Sequence, residues 1–259
     1  QYGIFIRDVL HGNFGKSYIY GKPAMDLIFE RMPATLELVA VAACLVLCIA
    51  IPLGVYAGAY PKRASSKLIM SGSILGISLP SFWVGMMMIY IFAVVLRLLP
   101  ASGRGNTVMV GNVALSIFAP GGIRYVILPA ITLALTNVAT MLRLTRSGIL
   151  ENMRQDYIKF ARAKGVPAKS ILFGHALKNA LIPVVTIFGM DLGNMIAFTT
   201  ITETIFAWPG MGKLLIDAIN KSDRPIIVAY LMAAACMFVV LNFIVDILYT
   251  LIDPRIELR

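Results

Sequence analysis

Charged side chains are scarce here. Asp, Glu, Lys and Arg make up 14% of the 259 residues. Soluble domains carry about 25%, which argues against an ordinary cytosolic enzyme. Acids are the scarcer sign, 13 against 23 Lys and Arg, for a net charge of +10. The two histidines, His11 and His175, stand far apart. The three cysteines, Cys44, Cys48 and Cys236, lie inside apolar runs, and no CxxC pair occurs. Neither a zinc site nor a disulfide framework has support, and buried free thiols fit this placement. Disorder is excluded because its mark is low hydrophobicity. What abounds is apolar sequence: nonpolar types form 59% of the chain and mean hydropathy is +0.82.

At about 20 residues per span, apolar runs near 34–60, 68–98, 124–144, 180–202 and 226–251 predict five transmembrane helices in an all-α polytopic bundle. Residues 1–33 read as an outer, periplasmic segment and 34–259 as the transmembrane domain. Pro52 lies inside the first run and is expected to kink it, since proline removes an i→i−4 bond. Residues 99–122 are Gly-rich and polar, with a short apolar patch at 113–118. Residues 1–259 show no internal repeat, low-complexity tract or signal-peptide pattern, and since residue 1 is Gln rather than Met the start is expected to be missing or removed.

The basic excess sits in short loops, the mark of a cytoplasmic membrane face rather than of nucleic-acid binding. Lys62, Arg63 and Lys67 stand without an acid. Arg143, Arg146, Arg154, Lys159, Arg162, Lys164, Lys169 and Lys178 face only Glu151 and Asp156. The 203–225 loop balances Lys213, Lys221 and Arg224 against Glu203, Asp217 and Asp223, as an outer loop does. This orientation puts the C-terminus inside and residue 1 outside, so a further span is expected upstream of Gln1.

Several polar constellations interrupt the apolar runs. His11 to Ser17 ends like a P-loop, but Leu10 stands where the pattern needs its first Gly, so a plain surface turn is expected. Thr132, Thr136 and Thr140 recur at i, i+4, i+8, continued by Arg143 and flanked by Asn137. They either bond their own i−4 carbonyls or line a polar path. Gly189, Gly193 and Ala197 share that spacing and suit close helix packing. Asp191 and Asn194 fall on another side; an intramembrane carboxylate is by default a functional candidate, the alternative being a pair with a neighbouring helix. Asn242 and Asp246 fit an internal ion pair at the depth of Arg143. Residues 153–164 and 168–177 read as two short basic amphipathic helices hinged at Gly165-Val166-Pro167. Ala161 and Ala163 are small enough for close docking, and Arg162 and Lys164 can reach acidic rims on a partner. Trp208 is expected at the membrane interface, beside the helix breakers Pro209, Gly210 and Gly212, with a short surface helix over Lys213 to Ile219.

A set of ordered motifs extends through nearly the whole chain. They include Gly12-Asn13-Phe14-Gly15, Pro33-Ala34-Thr35-Leu36-Glu37-Leu38, Ser78-Leu79-Pro80-Ser81-Phe82-Trp83 and Leu99-Pro100-Ala101-Ser102-Gly103. They continue with Ala161 to Gly165, His175 to Pro183, Glu203 to Gly210 and Asp253-Pro254-Arg255-Ile256. In order and spacing the chain resembles permeases of binding-protein-dependent ABC importers, and more narrowly the dipeptide/oligopeptide branch, which includes glutathione and nickel importers. Lys159-Phe160-Ala161, in place of the Glu-Ala-Ala of the general coupling motif, agrees with that branch. Asp191 stands where peptide permeases usually carry Gln, and Ser222-Asp223-Arg224-Pro225 replaces Arg-Asp-Tyr-Pro.

The resemblance implies a type I importer bundle with a sixth span upstream, in the bacterial inner membrane. It implies a non-catalytic permease that binds no cofactor, with ATP and Mg on two cytoplasmic ATPase subunits. A second homologous permease and a periplasmic or lipid-anchored substrate-binding protein would complete the assembly, with no nucleic acid. Ala161 to Gly165 would couple to the ATPase. Thr136, Asn137, Thr140, Asp191 and Asn194 would line the path, and Glu203, Trp208, Pro209 and Gly210 would belong to the outer gate. Di- or oligopeptide is the expected substrate; glutathione, a nickel chelate or another small solute is the alternative. An ion-coupled secondary transporter is the rival class, for which Asp191 is the only support.

Overall fold

The computed structural model describes residues 7, 9, 12–111 and 113–252, without the side chains of 246 and 248–252. His11, Asp246 as an ion-pair partner, and Asp253 to Arg259 therefore lie outside the described residues and side chains. Helix α1 spans Ala24–Ala59, α2 Ala64–Ser78, and α3 Ser81–Val95, whose second half is π-helical. Strands β1 (Val108–Val110) and β2 (Val113–Leu115) follow. Then come α4 (Ile123–Asn152), α5 (Asp156–Ala163), α6 (Ala168–Ile205), α7 (Met211–Asn220) and α8 (Arg224–Ile252).

Among the described residues, α1, α4, α6 and α8 are each long and apolar enough to cross a membrane. The second apolar run differs from the expected single span. It breaks at Leu79-Pro80, and α2 and α3 meet at 104°. Proline disfavours the helical conformation for the residue before it, and Leu79 is extended. Pro33 and Pro52, by contrast, lie inside the continuous helix α1. The expected second short helix at 168–177 is not separate. A π-helical stretch, Ile171–Ala176, carries it directly into α6.

Among the described residues the paired strands form one small hairpin in the polar 99–122 segment, which the sequence reading passed over. Val108 pairs with Leu115 and Val110 with Val113 around Gly111, whose φ of +64° suits a tight hairpin.

The chain divides into two compact units. One comprises residues 1–41, 82–133 and 193–240, the other 42–81, 134–192 and 241–259. The first packs Ala24, Leu27 and Ile28 of α1 against Met211 and Leu214 of α7 and Ile226 and Ala229 of α8. In the second, Val55, Ile149, Ile158, Ile171, Ala176 and Ala180 form the core. There Gly54 and Gly58 let α1 approach Thr145 and Ile149 of α4 so closely that a Cβ on either glycine would collide. Gly189 lies against Val245, and in the first unit Gly193 lies against Phe238, as the small-residue spacing predicts. Ala197 is exposed and takes no part in such a seam.

Candidate docking element and gate residues

The candidate docking element is α5 with the turn behind it. Ile158 is its one fully buried side chain and anchors it in the second unit's core. Tyr157 fixes its start: its hydroxyl donates to Asn152 Oδ1 at 2.7 Å and accepts from Asn179 Nδ2 at 3.0 Å. At the other end Gly165 has φ +77°, and the Val166 N–H donates to the Ala161 carbonyl at 3.1 Å. This is a helix stop with a left-handed residue just past the last turn, a place where glycine avoids Cβ strain. Ala161 packs toward the core, whereas Phe160, Arg162, Ala163, Lys164 and Gly165 are exposed. Lys164 Nζ sits 4.4 Å from the centre of the Phe160 ring. At the first turn Lys159 Nζ lies 2.8 Å from Asp156, and that hydrogen bond holds the Asp156 carboxyl below its usual range. The result is a short helix clamped on one side that presents a cationic, partly aromatic face on the other.

The candidate gate residues Glu203, Trp208, Pro209 and Gly210 lie in the first unit. Glu203 and Trp208 are both fully buried. The Trp208 Nε1 donates to the Ala34 carbonyl at 2.9 Å, and Arg104 lies 5.7 Å from its ring centre. The turn that ends α6 explains this burial. Ala207 takes a left-handed φ of +46°, and the Trp208 N–H donates to the Glu203 carbonyl at 2.8 Å. That turn aims the indole inward, where its single donor is satisfied. A left-handed alanine costs roughly 1–2 kcal/mol, offset here by burial of the largest side chain in the unit's core.

The Glu203 carboxylate accepts from Thr35 Oγ1 at 2.6 Å and from the Lys213 N–H at 3.0 Å. Thr35 Oγ1 in turn accepts from the Met211 N–H at 2.9 Å. Two orphan donors at the start of α7 are thus satisfied by side chains from α1 and α6. Gly210 precedes α7 as its cap and offers no side chain; a Cβ there would strike the Glu203 carboxylate. A negative charge at a helix N-terminus is favourable in addition.

Two further networks in the first unit were not anticipated. Glu37, nearly fully buried on α1, accepts from Arg104 Nε at 2.9 Å, from the Ser116 N–H and the Ile117 N–H at 2.7 Å each, and from Ser116 Oγ at 3.0 Å. It ties the hairpin segment to α1. Asp223, also buried, accepts from Ser17 Oγ at 2.5 Å, and Ser17 caps the turn before α1 by accepting from the Tyr20 N–H at 2.9 Å. A carboxylate inside the first apolar run was the available signal for Glu37.

The polar stripe splits. Thr132 is buried and bonds the Leu128 carbonyl, and Thr140 bonds that of Thr136. Thr136 and Arg143 are exposed, while Asn137 and Thr140 are half-buried. On α6, Asp191 is half-buried and Asn194 exposed.

Long apolar helices with buried, fully bonded carboxylates define a polytopic membrane protein. Residues 50–258 match the family described as the binding-protein-dependent transport system inner membrane component. The chain belongs to that family, whose members are membrane subunits of ABC transporters. It is 40% identical over 258 residues, covering 99% of this chain and 80% of the relative, to the oligopeptide transport system permease protein AppB of Bacillus subtilis. With the dipeptide transport system permease protein DppB of Escherichia coli it shares 35% over 272 residues, 99% of this chain and 80% of that one. With the probable D,D-dipeptide permease DdpB of the same species it shares 37%, covering 99% and 79%. In structure it is similar to the inward-facing methionine ABC transporter MetNI, at TM-score 0.68 and 16% identity over 88% of this chain and 97% of that one. The fold is thus that of a type I importer permease.

Proposed function

We propose that this chain is the permease subunit of an ATP-driven importer of di- or oligopeptides. The observation that carries the substrate class is the 99% alignment of this chain with three permeases named for oligopeptide, dipeptide and D,D-dipeptide transport. In this reading the exposed face of α5 with Gly165 docks one of two cytoplasmic ATPases, which hold ATP and Mg. A second homologous permease supplies the other half of the path, and a substrate-binding protein delivers peptide on the outer side, beside 203–225. The basic stretches and the C-terminus face the cytoplasm. Thr136, Asn137, Thr140, Asp191 and Asn194 line the path; Glu203, Trp208, Pro209 and Gly210 shape the outer gate. The working motion is a rigid-body switch between packed states, and ATP drives it by favouring one state over the other. Supporting the docking role is the construction of α5: one buried anchor, two ties through Tyr157 and a rigid glycine stop, which together transmit force rather than absorb it.

The test is uptake of a labelled dipeptide by proteoliposomes holding this chain, its permease partner, both ATPases and the binding protein. Uptake that needs ATP and ignores proton and sodium gradients supports the reading. Gradient-driven uptake without ATP overturns it. Uptake of glutathione or a nickel chelate with no peptide uptake overturns the substrate and leaves the importer. Gly165→Leu forces a side chain into a left-handed position and is expected to leave the ATPases hydrolysing with transport lost; full transport by that variant refutes the docking role.

A further inference from the structure

The small hairpin of the first unit has one closed edge and one open edge. Pairs along an antiparallel ladder alternate between hydrogen-bonded and non-hydrogen-bonded. The tight turn at Gly111 makes Val110 and Val113 the bonded closing pair. Val108 and Leu115 are then bonded as well, and Met109 and Ala114 are not. The main-chain N–H and C=O of Met109 and Ala114 therefore point away from the ladder. On the β2 side such groups are taken. Arg104 Nη2 donates to the Ala114 carbonyl at 2.6 Å, and the Ser116 N–H, two residues on, donates to Glu37 at 2.7 Å. On the β1 side, among the described residues, no hydrogen bond reaches the outward main chain of Met109. Val108, Met109 and Val110 are all exposed.

The surroundings select what pairs with that edge. Unpaired main-chain groups are costly in hydrocarbon, so the edge belongs in water rather than against lipid. β1 is three residues long and turns one of them outward. That offers two hydrogen bonds, a match for a short extended peptide; a protein strand of about five to six residues would run past it. The segment leading into β1 is bonded to the proposed gate. The Gly103 N–H donates to the Phe206 carbonyl at 2.8 Å, and Arg104 lies over the Trp208 ring. Residues 105–123 carry no charge, so nothing along the strand selects a charged side chain. We infer that the open edge of β1 pairs with the backbone of an extended di- or oligopeptide at the gate. The Met109 N–H donates to a peptide carbonyl or terminal carboxylate, and the Met109 carbonyl accepts the N–H of that same peptide residue. Strand addition draws its affinity from main-chain bonds, so it is indifferent to side-chain identity, as an importer of varied peptides requires. The inference rests on the peptide-import reading above.

The test uses proteoliposomes holding the whole importer, with labelled dialanine as the probe. Met109→Pro removes the outward N–H and spares the hairpin's own ladder, since proline is tolerated on a strand edge. Losing one such hydrogen bond is expected to lower the initial uptake rate at subsaturating peptide by about two- to tenfold. Amide protection at Ser116 and Ile117, which bond Glu37, reports that the hairpin stays seated. Met109→benzoylphenylalanine, irradiated during uptake, is expected to form its adduct with the labelled peptide; if protection is lost in the proline variant, this adduct alone decides. Uptake by a seated Met109→Pro equal to the parent's overturns the proposal. So does an adduct with the binding protein or the second permease in place of the peptide. A parent importer that takes up no dialanine overturns the peptide reading itself, whereas parent uptake with an unaffected Met109→Pro overturns the edge alone.

Discussion

Thr35→Val separates a gate strut from a passive contact. Valine nearly matches threonine in shape, so no cavity forms, and only the hydroxyl is lost. Thr35 Oγ1 makes two bonds inside a site where it is 1% and Glu203 0% exposed. Its donation to Glu203 at 2.6 Å is charge-assisted, worth about 1.5–3 kcal/mol. Its acceptance from the Met211 N–H at 2.9 Å leaves an orphan buried donor when removed, a cost of about 1–3 kcal/mol. Together they predict a loss of roughly 3–5 kcal/mol in the attachment of α7 to α1 and α6. Amide exchange at Met211 to Lys213 in the assembled importer reads this directly, because local opening follows the same free energy. A loss of 3 kcal/mol corresponds to exchange faster by about two orders of magnitude. Thr35→Ser keeps the hydroxyl and is expected to keep most of the protection. Exchange at Met211 to Lys213 within threefold of the parent refutes the reasoning.

Arg104→Met leaves Glu37 buried with its Ser116 and Ile117 donors but no counter-charge; breaking a buried pair costs about 3–5 kcal/mol, and proteolysis of the 99–118 segment is expected to accelerate while α7 stays protected. Gly189→Val places a branched side chain on Val245, so overpacking of about 1–3 kcal/mol is expected to lower the thermal inactivation midpoint of the importer. Asp191→Asn is expected to weaken uptake of cationic peptides more than neutral ones with assembly intact; equal loss for all peptides, with poor assembly, assigns Asp191 a structural role.

Helical class, family and four of the five expected spans were legible in the sequence because they rest on local quantities. A 20-residue apolar run states its own length requirement, and Gly165 followed by Val166-Pro167 ends a helix wherever the chain goes. The small-residue spacing at Gly189 and Gly193 likewise announced close packing before any partner was known. Less local features were read incompletely. Val110-Gly111 followed by Val113 carried a hairpin signal inside a segment assigned to loop, and Leu79-Pro80 carried the break between α2 and α3; in both, overall hydropathy outweighed two residues of turn chemistry. What only the tertiary structure decided is where the isolated polar side chains point. Sequence placed Trp208 and Glu203 in an outer loop just past the fourth apolar run, and left their burial open. Folding buries them, because an indole N–H and a carboxylate far from bulk water need partners, and those partners, Ala34 and Thr35, lie more than 160 positions earlier in the chain. The same holds for Glu37 with Arg104 and Ser17 with Asp223. Hydrophobic periodicity fixes which segments enter the membrane; the pairing of a few buried polar groups across distant segments depends on the packed arrangement, and no local pattern encodes it.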